Sequence, residues 1–276
     1  MAVNAETLEI CADIALSPAG QIQGGLEALE FEPFFQPIVN LSDYSLVGFE
    51  ALARWRHPSR GLVEPAEFVG IAEANGLIRA IDSVILDRAW QIMEDALAAC
   101  PVTEGPLLLS VNLSAVHLLD TAIIDRLAAL IDSGRGRYTR LQFEITETLL
   151  IKDKDAAGLI MDRLREMGIT FALDDFGTGY SSLVYLHRLP IDCIKIDRSF
   201  SEAIVRSPRS EAIVRSIIGL SQSMGLSAVA EGVEEREVAD ALAALGCRYG
   251  QGMYFGAPVP AAGLVRRLEQ VQIPQL

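Results

Sequence analysis

From about Phe31 onward the chain alternates between short apolar runs rich in β-branched and aromatic residues and longer stretches with helical periodicity. One element cannot satisfy both a period of two and a period of 3.6, so the alternation dictates strand, helix, strand, helix. Strand segments fall at 33–39, 46–53, 107–112, 140–145, 169–174, 191–196, 227–231 and 247–251. Helical stretches fall at 65–74, 79–99, 120–132, 155–167, 180–188, 208–224, 235–245 and 260–271. Eight of each, in roughly 245 residues, predict an α/β protein with a TIM-type (β/α)₈ barrel, a doubly wound open sheet being the alternative. Only NLSDYS joins the first two strand segments, too short for a helical crossover, so these two are expected to run antiparallel. Residues 1–30 have weak periodicity and several breakers (Pro18, Gly20, Gly24, Gly25); they read as an N-terminal tail or linker, with 31–276 as the barrel domain. SEAIVRS occurs at 201–207 and again at 210–216, too few copies for a repeat architecture.

Charge narrows the function. The 276 residues carry 37 Asp plus Glu against 23 Lys plus Arg, a net charge of −14. Duplex nucleic-acid binders need clustered cations to displace counterions, so that class is excluded. A small phosphate ligand is not, because a bound metal can reverse the local sign. Half the residues are apolar, enough for a sizeable core. Cysteines 11, 100, 193 and 247 fit neither a zinc site nor a disulfide framework and read as isolated thiols in a reducing compartment. The first twenty residues lack Lys and Arg, and no run of 18 uncharged apolar residues occurs, so neither a secretory signal nor a membrane span is expected. The expected location is cytoplasmic.

The informative residues are polar ones in or at the ends of strand segments: Glu50, Asn112, Glu144, Asp174 with Asp175, Lys195, Glu231 and Gln251. In a barrel these ends converge on the face where βα loops build active sites. Buried carboxylates need compensation, and one lysine cannot neutralise five of them. Hard divalent cations can, and an all-oxygen donor set favours Mg²⁺, Mn²⁺ or Ca²⁺ over zinc. Adjacent aspartates diverge on an ideal strand, but where the chain turns Asp174 can bridge two ions while Asp175 serves the second. Such a pair of ions is the usual clamp for phosphate ester hydrolysis. Taken singly, each acid also fits a helix cap or a surface salt bridge, and Lys195 fits either a structural counter-ion or a group that orients water. DDFGTGYSSL, just past a strand, offers a tight loop with many backbone donors or an ordinary βα turn.

These residues carry a resemblance. FFQPIV, EALARW, RHPSRGLVEPAEF, SVNLS, FEITE, ALDDFGTGYSSL, IKIDRSF, VAEGVE and QGMYFGAP resemble, in order, the motifs of the EAL family of cyclic di-GMP phosphodiesterases. The likeness runs from about Phe34 to about Pro258, and the naming tripeptide is Glu50-Ala51-Leu52. The resemblance implies a (β/α)₈-type barrel with one antiparallel strand. It assigns Glu50, Asn112, Glu144 and Asp174 to one metal, and Asp174 with Asp175 to a second. Glu231 completes the metal-centred network and Lys195 contacts the hydrolytic water. It implies that Glu147 holds the DFGTG loop and that Arg54 grips a substrate phosphate, a bidentate task suited to guanidinium. Leu52 and Gln251 line the substrate's side, with Gln36, Asp197 and Glu234 as further substrate contacts or structural groups. Gly70, Met253 and Ala257 depart from residues common in the family, and none is a ligand position.

The implied activity is hydrolysis of cyclic di-GMP to linear pGpG by water activated between two Mg²⁺ or Mn²⁺ ions, with Ca²⁺ inhibitory. The alternative is a catalytically inactive cyclic di-GMP receptor, and an unrelated enolase-type barrel is disfavoured because His57, His117 and His187 lie off the strand ends. The family further implies a homodimer and an upstream GGDEF or sensory module.

Overall fold

The antiparallel pair comes first. Strands β1 (Phe31–Asn40) and β2 (Leu46–His57) run in register from Phe31 opposite Trp55 to Ile38 opposite Gly48, as the short connection requires. The computed structural model describes residues 17–100, 105–146, 154–177 and 189–271. The other barrel strands are β4 (Leu107–Asn112), β5 (Thr139–Thr146), β6 (Thr170–Phe176), β7 (Cys193–Ile196), β8 (Ser227–Ala230) and β9 (Tyr249–Gln251). From β2 through β4 to β9 every neighbouring pair is parallel. β1 pairs antiparallel with both β9 and β2 and so closes an eight-stranded barrel. The expected barrel with one antiparallel strand is what forms, and the open sheet is excluded.

Two short strands were not legible in the sequence. β3 (Gly61–Val63) extends the end of β2, and β10 (Val259–Pro260) adds to β1. Because β2 reaches residue 57, His57 does close a strand; its Nδ1 accepts from the Ser59 amide at 3.2 Å, which gives it a turn-holding role.

The described helices are α1 (Pro18–Glu27), α2 (Pro65–Ala74), α3 (Ile78–Ala99), α4 (Ala115–Leu118), α5 (Ala122–Asp132), α6 (Lys154–Glu166), α7 (Arg198–Ser201), α8 (Pro208–Ser223), α9 (Arg236–Ala244) and α10 (Ala261–Val271). The expected helix over 180–188 lies outside the described residues. Helix α1 falls where the sequence offers only breakers. Ser17 caps it by accepting from the Gly20 amide, Pro18 takes a position that needs no donor, and Ile22 is fully buried. Gly25 sits so close to the Trp55 ring that an added Cβ would lie 2.7 Å from Nε1, so the glycine that reads as a breaker is a packing requirement. The two SEAIVRS copies differ in structure: the first leaves α7 into turns, while Ser207 and Pro208 start α8, which contains the second.

Inside the barrel, Ile38, Ala172, Cys193 and Val229 form a buried cluster, with Leu108 and Tyr249 packed on it. One pleat period toward the mouth along the same strands stand Gln36, Asp174, Lys195, Glu231, Ser110 and Gln251. An apolar layer thus floors a polar one. Burial pushes the free thiols of Cys193 and Cys247 up to about 12, so both act as small apolar groups. Outside, α3 buries Ile81, Ile85, Ala89 and Met93 at helical spacing against the sheet. Among the described residues no helix is long and apolar enough to cross a membrane.

The closest backbone approach lies between β2 and β4, where a Cβ at Gly48 would run into the Leu108 carbonyl and lie 2.5 Å from its Cβ. Gly48→Ala is expected to lower stability by about 3 kcal/mol. Gly158→Ala, in α6 with nothing within 4 Å of the new methyl, should raise it by roughly 0.5–1 kcal/mol. Urea midpoints should move in opposite directions.

Candidate functional site

At the mouth, one ammonium is surrounded by carboxylates. Lys195 Nζ, 2% exposed as a residue, lies 2.5 Å from Glu231 Oε1, 2.6 Å from Glu144 Oε2, 3.4 Å from Asp174 Oδ1 and 3.5 Å from Glu50 Oε2. Burial alone would push the lysine pKa down; the carboxylates, led by Asp174 and Glu144, outweigh it and hold the pKa well above the ordinary value. The acids divide. Burial and then Glu50 drive Glu144 well above the carboxylate range, Lys195 only partly opposing. Burial likewise raises Glu231 to about 7. Glu50 is also buried, yet Lys195, then Gln251, more than compensate and keep its pKa low.

Hydrogen bonds fix each group. Asn112 Nδ2 donates to Glu50 Oε1 at 2.9 Å, which leaves the amide oxygen as the atom it can offer a cation. Gln251 Nε2 donates to Glu50 Oε2 at 2.6 Å and to Gln36 Oε1 at 3.0 Å, tying in β1 from the opposite strand. Ser110 Oγ donates to Glu144 Oε1 at 2.6 Å. Ser110, inside the SVNLS motif, stands two residues before Asn112 on the same strand face, a signal that period two carries.

Asp174 and Asp175 act together because β6 bulges where they stand. The β6–β7 register shifts between Leu173 and Phe176, and Asp175 has φ of 53°, a left-handed conformation uncommon outside glycine. With that turn, carboxylate oxygens of Asp174, Asp175 and Glu231 all lie within 4.8 Å of one another. Burial, then Asp174 and Asp197, raise the Asp175 pKa.

The other expected residues separate into two groups. Leu52 and Arg54 share the Glu50 face of β2 at period two, and Arg54 is buried. Asp197 caps α7, accepting from the Ser199 amide at 3.0 Å, and is near enough to Asp175 to affect it. Glu234 is exposed on the loop after β8, and no hydrogen bond among the described residues ties it to the ring. Glu147 lies outside the described residues.

Beside the ring is a cavity of about 600 Å³, bordered by Asn112, Glu144 and Thr146 and walled by Leu52, Val69 and Ile81. Its lining is mostly apolar, and its charged members, Glu73, Asp82 and Glu144, are all acidic, so the cavity itself suits the apolar part of a ligand. The ring itself fits divalent metal. Four carboxylates face one ammonium with Asp175 beside them, every further donor is oxygen or amide, and the buried Gln251 Oε1 has no hydrogen-bond partner among the described residues.

The EAL domain family matches residues 19–258. The chain is 40% identical over 246 residues to an uncharacterised signalling protein of Caulobacter vibrioides, covering 89% of this chain and 30% of that protein. It is 38% identical over 244 residues to the cyclic di-GMP phosphodiesterase NbdA of Pseudomonas aeruginosa, covering 88% and 31%. The chain therefore spans less than a third of the length of either relative. Among solved structures it is similar to the PaMucR phosphodiesterase in complex with c-di-GMP, at 37% identity and a TM-score of 0.81, covering 90% of this chain and 100% of that one.

Replacing Lys195 by Met should cost ~3–5 kcal/mol in metal-free buffer, because four largely buried carboxylates lose the ammonium they share. Millimolar Mg²⁺ should raise the melting temperature of the variant more than that of the parent. An equal rise in both would refute the charge-compensation role.

Proposed function

The chain belongs to the EAL domain family, and from that premise we propose that it is a phosphodiesterase that opens cyclic di-GMP to linear pGpG. The observation that carries the reading is the completeness of the mouth. Glu50, Asn112, Glu144, Asp174, Asp175, Lys195 and Glu231 converge from six strands with no acidic position lost. A receptor that had given up catalysis would not need to maintain that costly concentration of buried charge.

The proposed cofactors are two divalent cations, Mg²⁺ or Mn²⁺, held by Glu50, Asn112, Glu144, Asp174 and Glu231 on one side and by Asp174 and Asp175 on the other. Bound there, they supply the positive charge that activates water and stabilises the leaving oxygen. The chain's own groups do the rest. Lys195 orients the attacking water and balances charge as it develops on the phosphoryl oxygens. Arg54 clamps a substrate phosphate, and Leu52 offers an apolar wall to the nucleoside. Gln36 and Gln251 hold Glu50 in place from β1 and β9 and border the substrate. Asp197 and Glu234 are proposed as rim contacts, and Glu147 as the support of the DFGTG loop.

The catalytic unit is proposed as 31–276, with 1–30 as a lead-in whose helix α1 packs onto it. A homodimer, an upstream GGDEF or sensory module and a cytoplasmic location complete the proposal; the greater length of the relatives supports a further module.

Incubation with cyclic di-GMP and Mg²⁺ or Mn²⁺ should yield pGpG by chromatography. Binding without any pGpG would establish the receptor instead. Glu50→Ala is expected to abolish turnover, and Ca²⁺ to support binding while stopping hydrolysis. Glu147→Ala should lose most activity, and normal turnover in that variant would remove the loop role.

A further inference from the structure

Arg54 has an anionic partner within the protein itself. Its Nη2 lies 3.0 Å from Glu64 Oε2, its Nη1 donates to the Ala53 carbonyl at 2.8 Å, and its guanidinium sits 5.7 Å from the centroid of the Phe34 ring. The exposures are unequal, 9% for the Arg54 side chain and 59% for that of Glu64. Glu64 occupies the N-cap of α2, where a side-chain oxygen would ordinarily accept from the first free amides, yet it makes no such bond. Its carboxylate is committed to the arginine.

We propose that Glu64 is a positioning residue of the phosphate site: a built-in stand-in for the substrate phosphate that holds the Arg54 guanidinium over Phe34 until a phosphate displaces it. The inference rests on the phosphodiesterase reading of the site. A nearly buried guanidinium needs a counter-charge at all times. Carboxylate and phosphate match the same guanidinium fork, so one can substitute for the other. Both together would place two anions side by side at one cation, so phosphate binding and the Glu64 contact compete. The exposed partner is the one that leaves, because Glu64 can turn into water at little cost while Arg54 cannot. Phe34 and the Ala53 carbonyl keep the guanidinium aimed during the exchange. Glu64 thus protects the geometry of Arg54 in the empty enzyme and weakens the apparent affinity for substrate.

Steady-state kinetics on Glu64→Gln test this, since the amide keeps the shape and removes the charge. KM for cyclic di-GMP should fall about two- to fivefold with kcat unchanged. In an Arg54→Ala background, itself raised in KM, the same substitution should change nothing, because the competition acts through Arg54. A KM that rises or stays constant in the single variant overturns the proposal. So does an equal fall in the Arg54→Ala background, which would reflect general charge repulsion. A scaffold role for Glu64 would instead lower the melting temperature and leave the two backgrounds alike. A parent that neither binds nor hydrolyses cyclic di-GMP overturns the phosphodiesterase reading itself; a parent that turns over normally, with no KM change in Glu64→Gln, overturns only this inference.

Discussion

Four carboxylates around one buried ammonium are the constraint on which the rest of the molecule depends. Lys195 contacts Glu50, Glu144, Asp174 and Glu231, each from a different strand. Such a cluster is stable only where every group is hydrogen-bonded and where the surrounding strands cannot relax. The barrel supplies that rigidity. A closed sheet has no free edge, and the apolar floor of Ile38, Ala172, Cys193 and Val229 fixes the height at which the next pleat presents its side chains. The excess negative charge left over makes the mouth a place for cations.

The antiparallel strand has a functional consequence. By entering from the opposite direction, β1 sets Gln36 directly across from Glu50, where Gln251 of β9 joins both. The long β2 then carries Glu50, Leu52 and Arg54 on one face, linking a carboxylate of the ring to a buried guanidinium through a rigid strand. The left-handed Asp175 is the second device. It bends the chain so that two successive aspartates face one place, a local strain held by the packed strands on either side.

Much of this was legible. Six parallel strands and the antiparallel pair followed from periodicity and from a six-residue connection. The in-phase polar residues marked the mouth, because a strand's period of two and the direction of a barrel leave one place for them. Ser110 was legible by the same rule. Other features were not legible for physical reasons. Helix α1 is rich in glycine and gains its stability from burying Ile22 and fitting Gly25 against Trp55, which no local propensity reports. β3 and β10 are too short to show a period. The pairing of Arg54 with Glu64 joins a strand to a helix cap, and Glu64 read alone is an ordinary surface acid.

By itself, the sequence determined the order of the eight barrel strands, the barrel they build and which residues reach its mouth, because those follow from periodicity along one chain; the family followed from its motifs. Only the tertiary structure decided which carboxylates share Lys195, which ones burial pushes toward protonation, and that Arg54 pairs with Glu64. Those outcomes depend on distances between strands far apart in sequence and on how much water is excluded from between them. Neither quantity is a property of any single segment.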